Sequence, residues 1–381
     1  MTLRSTLVFG SSACTLALVQ LHWPGAGFWG PVLMLGGLIF LHELGHFLAA
    51  KSMGMPVEVF SLGFGRRLLG FRWRETDVRL AVLPLGGYVK LAGFNPEEPG
   101  ADDPYGFLKQ PAWRRLLFYS GGILANLATT LALFTLVGVS QARVVKAQPK
   151  PGSALLVDQV VPGQPAAAAG LRPGDELRRV GPVAFPGGRW EDAVGYIQGH
   201  AGQPIPLEVV RAGHTLDLTV TPMVEGGKGR IGLAAGPLAF DVQRRPFRPS
   251  DLATGGRFAL AVSWDLTGQA FHFLRQLVTF RAHSSEVAGP IGIIRMGSQA
   301  ARSGWETFLF MCGAISLQLA ILNALPIPAL DGGHMALLLF EKLRGKDLSL
   351  DLKERILTAG FVLLASLMAV VIFLDLMKLR K

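Results

Sequence analysis

The feature that most constrains this chain is a long apolar run, residues 27–50, that contains three strongly polar side chains. These side chains are His42, Glu43 and His46. A helix of this length can cross the roughly 30 Å hydrocarbon core of a bilayer. A carboxylate and two imidazoles are costly at membrane depth, so we expect them to have a function there. The sequence therefore predicts a transmembrane helix over 27–50 that carries a site.

The three residues form a His-Glu-x-x-His pattern, which can bind zinc when it lies on a helix. Residues i and i+4 share a helix face, so His42 and His46 can present two imidazoles to one zinc ion. Glu43 lies beside them and is the candidate general base. The same pattern also occurs by chance in soluble helices. The alternative interpretation is a buried polar cluster that pairs with another helix.

The composition is that of a membrane protein with some soluble structure, since half of the 381 residues are hydrophobic and only 17% are charged. The net charge is +10, but the basic residues concentrate in short segments that flank apolar runs. We therefore attribute the charge to membrane topology and expect no nucleic-acid partner. The two cysteines, Cys14 and Cys312, lie in apolar stretches and predict neither a disulfide framework nor a cysteine zinc site.

The order of apolar and basic segments predicts a polytopic α-helical membrane protein with four core transmembrane helices and an extra N-terminal one. The extra helix and its turn are placed at 1–26, where a signal peptide is also conceivable. By the positive-inside rule the basic loop is cytoplasmic, and the metal motif lies nearer the cytoplasmic face. The segments after the metal-motif helix are a cytoplasmic loop (51–112), a helix (113–140), an extracytoplasmic domain (150–225), an amphipathic interfacial region (250–304), a broken helix (305–340) and a last helix (356–377).

The extracytoplasmic segment combines short β-rich runs with glycine and proline turns, which predicts a small inserted α+β domain. Its stretches Ala166–Leu177 and Val209–Pro222 resemble a PDZ domain. PDZ-like domains bind extended peptides or chain ends by strand addition. The alternative is a spacer that limits access to the membrane site, and both roles can hold.

Within the cytoplasmic loop, two apolar runs between Val78 and Lys90 flank a Pro/Gly turn. This pattern predicts a β-hairpin at about 77–92. The exposed edge of such a hairpin could pair with an extended peptide. A small hairpin with a purely structural role is the more common interpretation of the pattern.

The span 305–340 contains two prolines, Pro326 and Pro328, that should break its helix. Non-helical backbone at membrane depth is tolerated only where protein or a polar cavity surrounds it, so the span is predicted to unwind at a site. Catalytic zinc takes three protein ligands, and topology selects Asp331 as the third. Asn323 could hydrogen-bond a substrate backbone or a developing oxyanion, or instead satisfy backbone groups freed by the prolines.

Taken together, these motifs resemble the site-2 protease family of intramembrane zinc metalloproteases, most closely its bacterial regulator-of-sigma-E protease type. The resemblance runs in order along nearly the whole chain. It rests on His42-Glu43-Leu44-Gly45-His46, Pro84-Leu85-Gly86-Gly87-Tyr88-Val89-Lys90, the PDZ-like stretch, Gly289-Pro290-Ile291 and Asn323-x-x-Pro326-x-Pro328-x-Leu330-Asp331-Gly332-Gly333-His334.

The resemblance implies that His42, His46 and Asp331 bind one Zn²⁺ per chain and that Glu43 is the catalytic base. It also implies a membrane-entering β-loop that engages substrate as an added strand. The residues of that loop are Pro84, Leu85, Gly86, Gly87 and Tyr88. Structural or supporting roles are expected for Asn126, Pro326, Pro328 and His334.

Three departures from the family pattern stand out. The family often has Ala-Gly-Pro-x-x-Asn where this chain has Gly121-Gly122-Ile123-Leu124-Ala125-Asn126, so the bend of that helix is in question. One PDZ-like domain is visible where the closest relatives carry two. The segment before Pro24 adds a span ahead of the metal-motif helix.

The expected function is an intramembrane zinc endopeptidase in regulated intramembrane proteolysis, located in the bacterial cytoplasmic (inner) membrane. Its expected partners are the lipid bilayer and single-span membrane proteins, such as an anti-sigma factor or a leftover signal peptide. An upstream site-1 protease would trim these substrates first. The alternative is a non-proteolytic membrane metal- or peptide-binding scaffold. Glu43 argues against the alternative, because metal binding alone requires no base there.

Overall fold

The computed structural model describes residues 26–94, 103–149, 155–161, 163–185, 190–211, 213–237, 240–279 and 289–379. Within them the chain forms two compact units, one from Val144 to Pro246 and one from the residues before and after that segment. The first unit is thus inserted into the second in sequence. The extra N-terminal helix predicted over 1–26 lies outside the described residues, apart from Ala26.

The metal motif lies on the first helix, α1 (Ala26–Ser52). Between Ala26 and Ala50 the only acidic or basic side chain, histidines aside, is that of Glu43. Such a helix satisfies its backbone hydrogen bonds internally, as a bilayer requires. Lys51 lies in the last turn, where its charge complements the negative end of the helix dipole.

After α1 the chain forms one long antiparallel strand pair, β1 (Val57–Trp73) and β2 (Thr76–Leu91). The register is irregular, and Val59 lies opposite both Lys90 and Asp77. The segment 87–91 lies at an edge of this sheet, because within the described residues it pairs only with the start of β1. The start of β1 pairs with both ends of β2, and the end of β1 pairs with the start of β2. The two bent strands therefore form a sheet of four neighbouring segments, whose order across the sheet is 87–91, 57–62, 77–80 and 67–73.

The prediction of a β-hairpin at about 77–92 is wrong, because the two predicted strands do not pair with each other. Its two apolar runs belong to one strand, β2, and both pair with β1, which the sequence analysis did not identify. Gly63 and Gly65, both with positive φ, and the basic pair Arg66 and Arg67 interrupt the alternation that would reveal β1. The sheet exposes a set of large apolar side chains, which suits contact with a bilayer. These are Phe64, Leu68, Leu69, Phe71, Trp73 and Leu83.

The next long helix, α2 (Ala112–Ala142), follows a short 3-10 turn at Phe107–Lys109. It continues without interruption through Ile123, the position where the resembling family often has proline. It crosses α1 so closely that a Cβ at Gly45 would lie 2.2 Å from the carbonyl oxygen of Gly121. Small residues that let backbones touch are typical of helix packing in membranes.

The inserted unit is a mainly β-structure with two short helices. Its described elements are β3 (Val144–Pro149), β4 (Leu155–Val160), α3 (Pro165–Ala168), β5 (Glu176–Val180), β6 (Val183–Ala184), α4 (Trp190–Gly199), β7 (Ile205–Arg211), β8 (His214–Val220), β9 (Met223–Glu225), β10 (Lys228–Arg230), β11 (Leu233–Pro237) and β12 (Phe240–Arg244). The largest sheet has the strand order β11-β4-β5-β7-β8, with β6 paired to β5, and β12 pairs separately with β3.

The unit is longer than the predicted 150–225. Strands β11 and β12 return from beyond residue 225 and pair with β4 and β3. Its core follows the alternation of the strands, as in β7, where Ile205, Leu207 and Val209 are buried and Pro206 is exposed. The central strands were predictable because their apolar residues recur with a two-residue period. The two return strands carried little signal, because each has five residues and β11 consists mostly of alanine and glycine.

A buried ion pair fastens the turn before β5. The Asp175 carboxylate is 1% exposed and accepts hydrogen bonds from the Arg211 guanidinium and from the backbone N–H of Arg172. Burial alone would raise the pKa of Asp175, but these hydrogen bonds and the charge of Arg211 outweigh it and lower the pKa below its ordinary value. A depressed folded-state pKa means that the carboxylate stabilises the fold above its ordinary pKa. That contribution is lost as the pH falls through the folded-state value.

Asp175→Asn is expected to destabilise the inserted unit by about 2–3 kcal/mol at neutral pH, because it breaks a charged pair whose acid is buried. The difference from the wild type should begin to shrink below about pH 4, where the Asp175 carboxyl protonates in the unfolded chain, and should be lost as the pH falls through the lower folded-state pKa. Hydrogen exchange of amides within 155–237 in the full-length protein measures both effects. Asp217→Asn, at an exposed position of β8, is the control. A stability difference between Asp175→Asn and the wild type that stays the same below about pH 4 would contradict the role assigned to the Asp175–Arg211 ion pair.

After the inserted unit, the described residues form five helices. In the part of the chain that the structure describes, four helices are long and apolar enough to cross a membrane, namely α1, α2 and two of these five, which cover 305–324 and 350–377. A polytopic helical membrane protein with an inserted domain is thereby confirmed, whereas the PDZ identity of that domain stays a prediction. The five are α5 (Ser250–Val278), α6 (Pro290–Ser303), α7 (Trp305–Ala324), α8 (Asp331–Arg344) and α9 (Leu350–Leu379).

The predicted broken span is present as two helices, because α7 ends at Ala324 and α8 begins at Asp331. Pro326 and Pro328 lie in the connection, which α9 covers closely: a Cβ at Gly360 would lie 2.4 Å from the carbonyl oxygen of Pro328. The last helix starts at Leu350, before the predicted residue 356, because a charged first turn precedes its apolar part.

The central element of this unit is α2, which packs against α1, α5, α7 and α8. In the last turn of α2, Ser140 and Gln141 donate hydrogen bonds to the buried carboxylate of Glu306 in α7. Buried charged groups need such partners. The packing of α2 therefore fixes α1 and α8, the two helices that carry the candidate ligands, against one scaffold.

Candidate metal centre

Two helices bring the three predicted ligands together. His42 and His46 lie one turn apart on α1, and Asp331 is the first residue of α8. The Nε2 atoms of the two histidines are 3.3 Å apart, and Oδ2 of Asp331 lies 3.3 Å from each of them. Among the described residues this is the single cluster of histidine, cysteine and acidic side chains with metal-binding spacing.

These donor atoms fit a tetrahedral zinc ion. Zinc bonds of about 2.0–2.1 Å to nitrogen and oxygen place tetrahedral ligand atoms about 3.4 Å apart, close to the 3.3 Å found on every side of this triangle. Oδ2 of Asp331 is buried and has no hydrogen-bond partner among the described residues. A cation between the three donors would satisfy that oxygen. Three protein ligands also leave a fourth position for water or substrate.

The orientation of His46 is fixed by the backbone of α2. Its Nδ1 donates a hydrogen bond to the carbonyl oxygen of Phe118 at 2.8 Å, and the side chain is nearly buried. A metal-binding histidine typically donates its other ring N–H in this way, which sets the tautomer and ring position. The bond leaves Nε2 of His46 to point at Asp331.

His42 is supported by Asn126, a fully buried residue of α2 whose side-chain amide lies 3.1 Å from Nδ1 of the imidazole. With a metal on Nε2, Nδ1 keeps its proton and donates it, so the amide would present its oxygen to His42. The amide atom at 3.1 Å is Nδ2, and Oδ1 has no partner among the described residues, so exchanging the two amide atoms would satisfy both groups. The backbone carbonyl oxygen of Asn126 accepts hydrogen bonds from the hydroxyls of Thr130 and Ser316. The bond from Ser316 holds this part of α2 against α7.

Gly122 of α2 gives the imidazoles their space. A Cβ there would lie 2.4 Å from Nε2 of His46 and 2.5 Å from Cε1 of His42. Gly122→Ala is therefore expected to displace both ligands and to weaken zinc binding by at least about tenfold, the size of effect known for residues that support metal ligands. Competition with a chromogenic chelator on the purified protein measures the affinity.

Gly37→Ala is the matched control for this substitution. A Cβ at Gly37 of α1 meets nothing within 4 Å, and alanine favours a helix over glycine. We expect wild-type zinc affinity for this variant. Wild-type affinity for Gly122→Ala as well would contradict the close approach of α2 to the two ligands.

The half-buried Glu43 lies against the edge segment 87–91 of the sheet. A Cβ at Gly87 would lie 2.6 Å from Cγ of Glu43 and 2.9 Å from the carbonyl oxygen of Ser61. Only glycine therefore allows the strand to approach the glutamate this closely. The structure brings the candidate general base next to the edge that the sequence analysis assigned to substrate.

The other residues assigned to substrate lie along the same strand. Gly86 packs against the ring of Phe64, and the ring of Tyr88 stacks on Phe64 at 6.0 Å. The hydroxyl of Tyr88 accepts a hydrogen bond from Arg79. The backbone of β2 includes Pro84 and Leu85, but their side chains lie outside the described part of the structure.

Asn323 lies in the last turn of α7 and is half-buried. No described residue forms a hydrogen bond with its side chain, so the amide is available to a ligand. Pro326 and Pro328 terminate α7, in keeping with a structural role. The ring of His334 stacks flat on Tyr119 of α2, with centroids 4.8 Å apart and planes at 7°, which favours a packing role over metal ligation.

Sequence reasoning missed Gly122 and the carbonyl of Phe118. A backbone carbonyl carries no sequence signal at all. Gly122 does carry one, since the pair Gly121-Gly122 lies inside an apolar span one turn before the polar Asn126, and adjacent small residues in a span mark close helix contacts.

Fold and site together define a class: a helical membrane protein with a two-histidine, one-aspartate metal site beside a glutamate. The chain belongs to Peptidase family M50, whose model matches residues 31–367. The resemblance to the site-2 protease family is thereby confirmed at the level of the family.

Individual relatives match over most of their length. "Putative zinc metalloprotease all3971" of Nostoc sp. is 36% identical over 349 residues, 88% of this chain and 92% of that protein. "Putative zinc metalloprotease slr1821" of Synechocystis sp. is 38% identical over 355 residues, 91% of this chain and 93% of that protein. "Membrane metalloprotease ARASP, chloroplastic" of Arabidopsis thaliana is 31% identical over 344 residues, 87% of this chain and 74% of that protein.

Proposed function

We propose that this protein is an intramembrane zinc endopeptidase of the site-2 protease type, which hydrolyses peptide bonds within the transmembrane segments of single-span proteins. The observation that carries the proposal is the equilateral arrangement of His42, His46 and Asp331 donors on membrane helices, with Glu43 one residue from a ligand. The names of the relatives, "zinc metalloprotease" and "membrane metalloprotease", support zinc as the metal and proteolysis as the activity.

The chemistry divides between the metal and the side chains. Bound zinc polarises a carbonyl and lowers the pKa of a bound water to about 7. Glu43 takes the proton of the attacking water and delivers it to the amine that leaves as the peptide bond breaks. Asn126 and the Phe118 carbonyl hold the two imidazoles in the productive orientation. The amide of Asn323, which forms no hydrogen bond with a described residue, donates to the substrate backbone or to the developing oxyanion.

Substrate binds as an added strand on the edge segment 87–91. The support for this is that the segment pairs on one side only within the described residues, and that Gly87 lies against Glu43. A helix must unwind before a peptidase can reach its backbone, and an edge strand offers hydrogen bonds to the extended form. Strand addition therefore presents a scissile bond to the general base.

Location and partners extend the same proposal. The positive-inside rule, applied to the basic loops, supports a metal site toward the cytoplasmic face of a bacterial inner membrane and an inserted PDZ-like unit outside the cytoplasm. The substrates are pre-trimmed spans of the anti-sigma factor or leftover signal peptide type, and an upstream site-1 protease removes their ectodomains. The inserted unit binds peptide ends or restricts access of large ectodomains.

The test uses purified full-length protein in detergent with a single-span substrate that lacks its ectodomain. We expect products whose termini, mapped by mass spectrometry, lie within the apolar span. Treatment with 1,10-phenanthroline should abolish cleavage, and added Zn²⁺ should restore it. Products cut only outside the span, or cleavage insensitive to the chelator, would contradict the proposal. A zinc-bound protein that cuts no tested span would favour the binding-scaffold alternative.

A further inference from the structure

A polar cavity of about 370 Å³ lies where α2 begins and α8 ends. It is separate from the metal centre, which lies at the opposite end of α8. Three basic side chains line it, Arg115 from the first turns of α2 and Lys342 and Lys346 from the end of α8 and the loop after it. Two acidic residues, Glu341 and Asp347, share the wall.

The acidic residues do not balance the three cations. Oε1 of the buried Glu341 already accepts hydrogen bonds from the Lys353 ammonium at 2.6 Å and from the backbone N–H of Leu348 at 2.7 Å. Its charge is therefore offset outside the group of three. Asp347 alone remains to oppose Arg115, Lys342 and Lys346.

None of the three cations has an acidic partner among the described residues, although Arg115 lies over the ring of Phe107 at 6.0 Å. Within the described residues, neither lysine forms an ion pair, and the buried Nε–H of Arg115 has no hydrogen-bond partner. A buried donor without a partner is costly, and like charges around one cavity repel each other. An anion in the cavity would relieve both costs.

We propose that this cavity binds a phosphate group, carried by the headgroup of an anionic lipid or by a soluble phosphate. Arginine offers a planar fork of donors to phosphate, and lysines act as point charges. Anionic headgroups and basic residues near the cytoplasmic face attract each other. A phosphate there links α2, which supplies the Phe118 carbonyl to His46, to α8, which begins with Asp331. The proposal does not depend on the peptidase function.

The test measures binding to full-length, delipidated protein by native mass spectrometry. One arm titrates phosphatidylglycerol against phosphatidylcholine, and the other titrates inorganic phosphate and follows it by thermal stabilisation. The cavity variant is Lys342→Gln/Lys346→Gln. Its matched control is Arg344→Gln/Arg355→Gln, which removes two charges from exposed positions at the end of α8 and near the start of α9, neither of which lines the cavity.

We expect one saturable phosphatidylglycerol site in the wild type and in the control, and at least about tenfold weaker binding in the cavity variant. Selective loss of phosphatidylglycerol binding identifies a lipid site. Selective loss of stabilisation by inorganic phosphate, with lipid binding unchanged, identifies a soluble phosphate as the ligand. Equal binding of both probes by the cavity variant and the control would overturn the proposal. Zinc content, expected to be equal in all three proteins, verifies that each is folded.

Discussion

Glu43→Gln is expected to leave zinc in place and to lower cleavage of a single-span substrate by at least about a thousandfold. Glutamine keeps the size of the side chain and its fit against Gly87, but it cannot take a proton from water. General acid–base groups contribute about 10²–10⁴ to rate, and here one residue acts in both proton transfers. Turnover and zinc content measured on the same preparations separate loss of the base from loss of the site.

Glu58→Gln is the control for this change. Glu58 lies on β1 and its carboxylate pairs with Lys90 at 3.3 Å near the surface, where an ion pair contributes little. We expect full activity and full zinc content for this variant. Near-wild-type cleavage by Glu43→Gln would show that some other group moves the proton, and the role assigned to Glu43 would be wrong.

Asp331→Asn is expected to weaken zinc binding by at least about a hundredfold and to abolish cleavage. The carboxylate supplies one of three ligand atoms, and replacing a ligand should cost more than the 10–100-fold known for residues that only support ligands. Oδ2 of Asp331 is buried and lies 3.3 Å from each imidazole without a hydrogen bond. Neutral imidazoles, the form that binds zinc, leave the negative charge uncompensated, so the carboxylate is itself a cost to the metal-free protein.

Thermal stability with and without zinc gives a second test of Asp331 as a ligand. Metal-free Asp331→Asn should be at least as stable as the metal-free wild type, whereas added zinc should raise the melting temperature of the wild type alone. Asp351→Asn, an exposed acid in the first turn of α9, is the control and should respond to zinc as the wild type does. Equal zinc stabilisation of Asp331→Asn and wild type would remove Asp331 from the ligand set.

The metal centre was largely predictable because polar residues inside apolar spans are rare. His42, Glu43 and His46 stand out in a run that otherwise excludes charge, and their spacing sets the helix face. Asp331 stands out because it follows two prolines at the end of another span. Such signals are local in sequence, although the site they form is not.

The β-sheet beside the site was only half predictable. The alternation of β2 was recognised, but β1 was not, because Gly63 and Gly65 adopt positive φ and shift its register. A strand whose register slips presents no clean two-residue period. The pairing of β1 with β2 and the approach of Gly87 to Glu43 both arise from tertiary structure, and no local sequence pattern predicts them.

The space around the imidazoles was only weakly signalled, because the pair Gly121-Gly122 predicts a close helix contact without showing which residues it accommodates. Gly122 is an uncharged residue in an apolar helix, and its importance comes from the distance at which α2 crosses α1. That distance follows from the Gly45–Gly121 contact, which involves residues 76 positions apart in the chain. The return of β11 and β12 to the inserted unit is a second case, since pairing over long sequence separations leaves little local signature.

Zinc K-edge X-ray absorption on the purified wild-type protein tests the central claim most directly. We predict one zinc per chain in a four-coordinate shell of nitrogen and oxygen at about 2.0–2.1 Å, with two imidazoles and no sulfur. This result would match His42, His46 and Asp331 with one position left for water. A sulfur ligand, a single imidazole, or protein that holds no zinc would contradict the site on which the proposed peptidase rests.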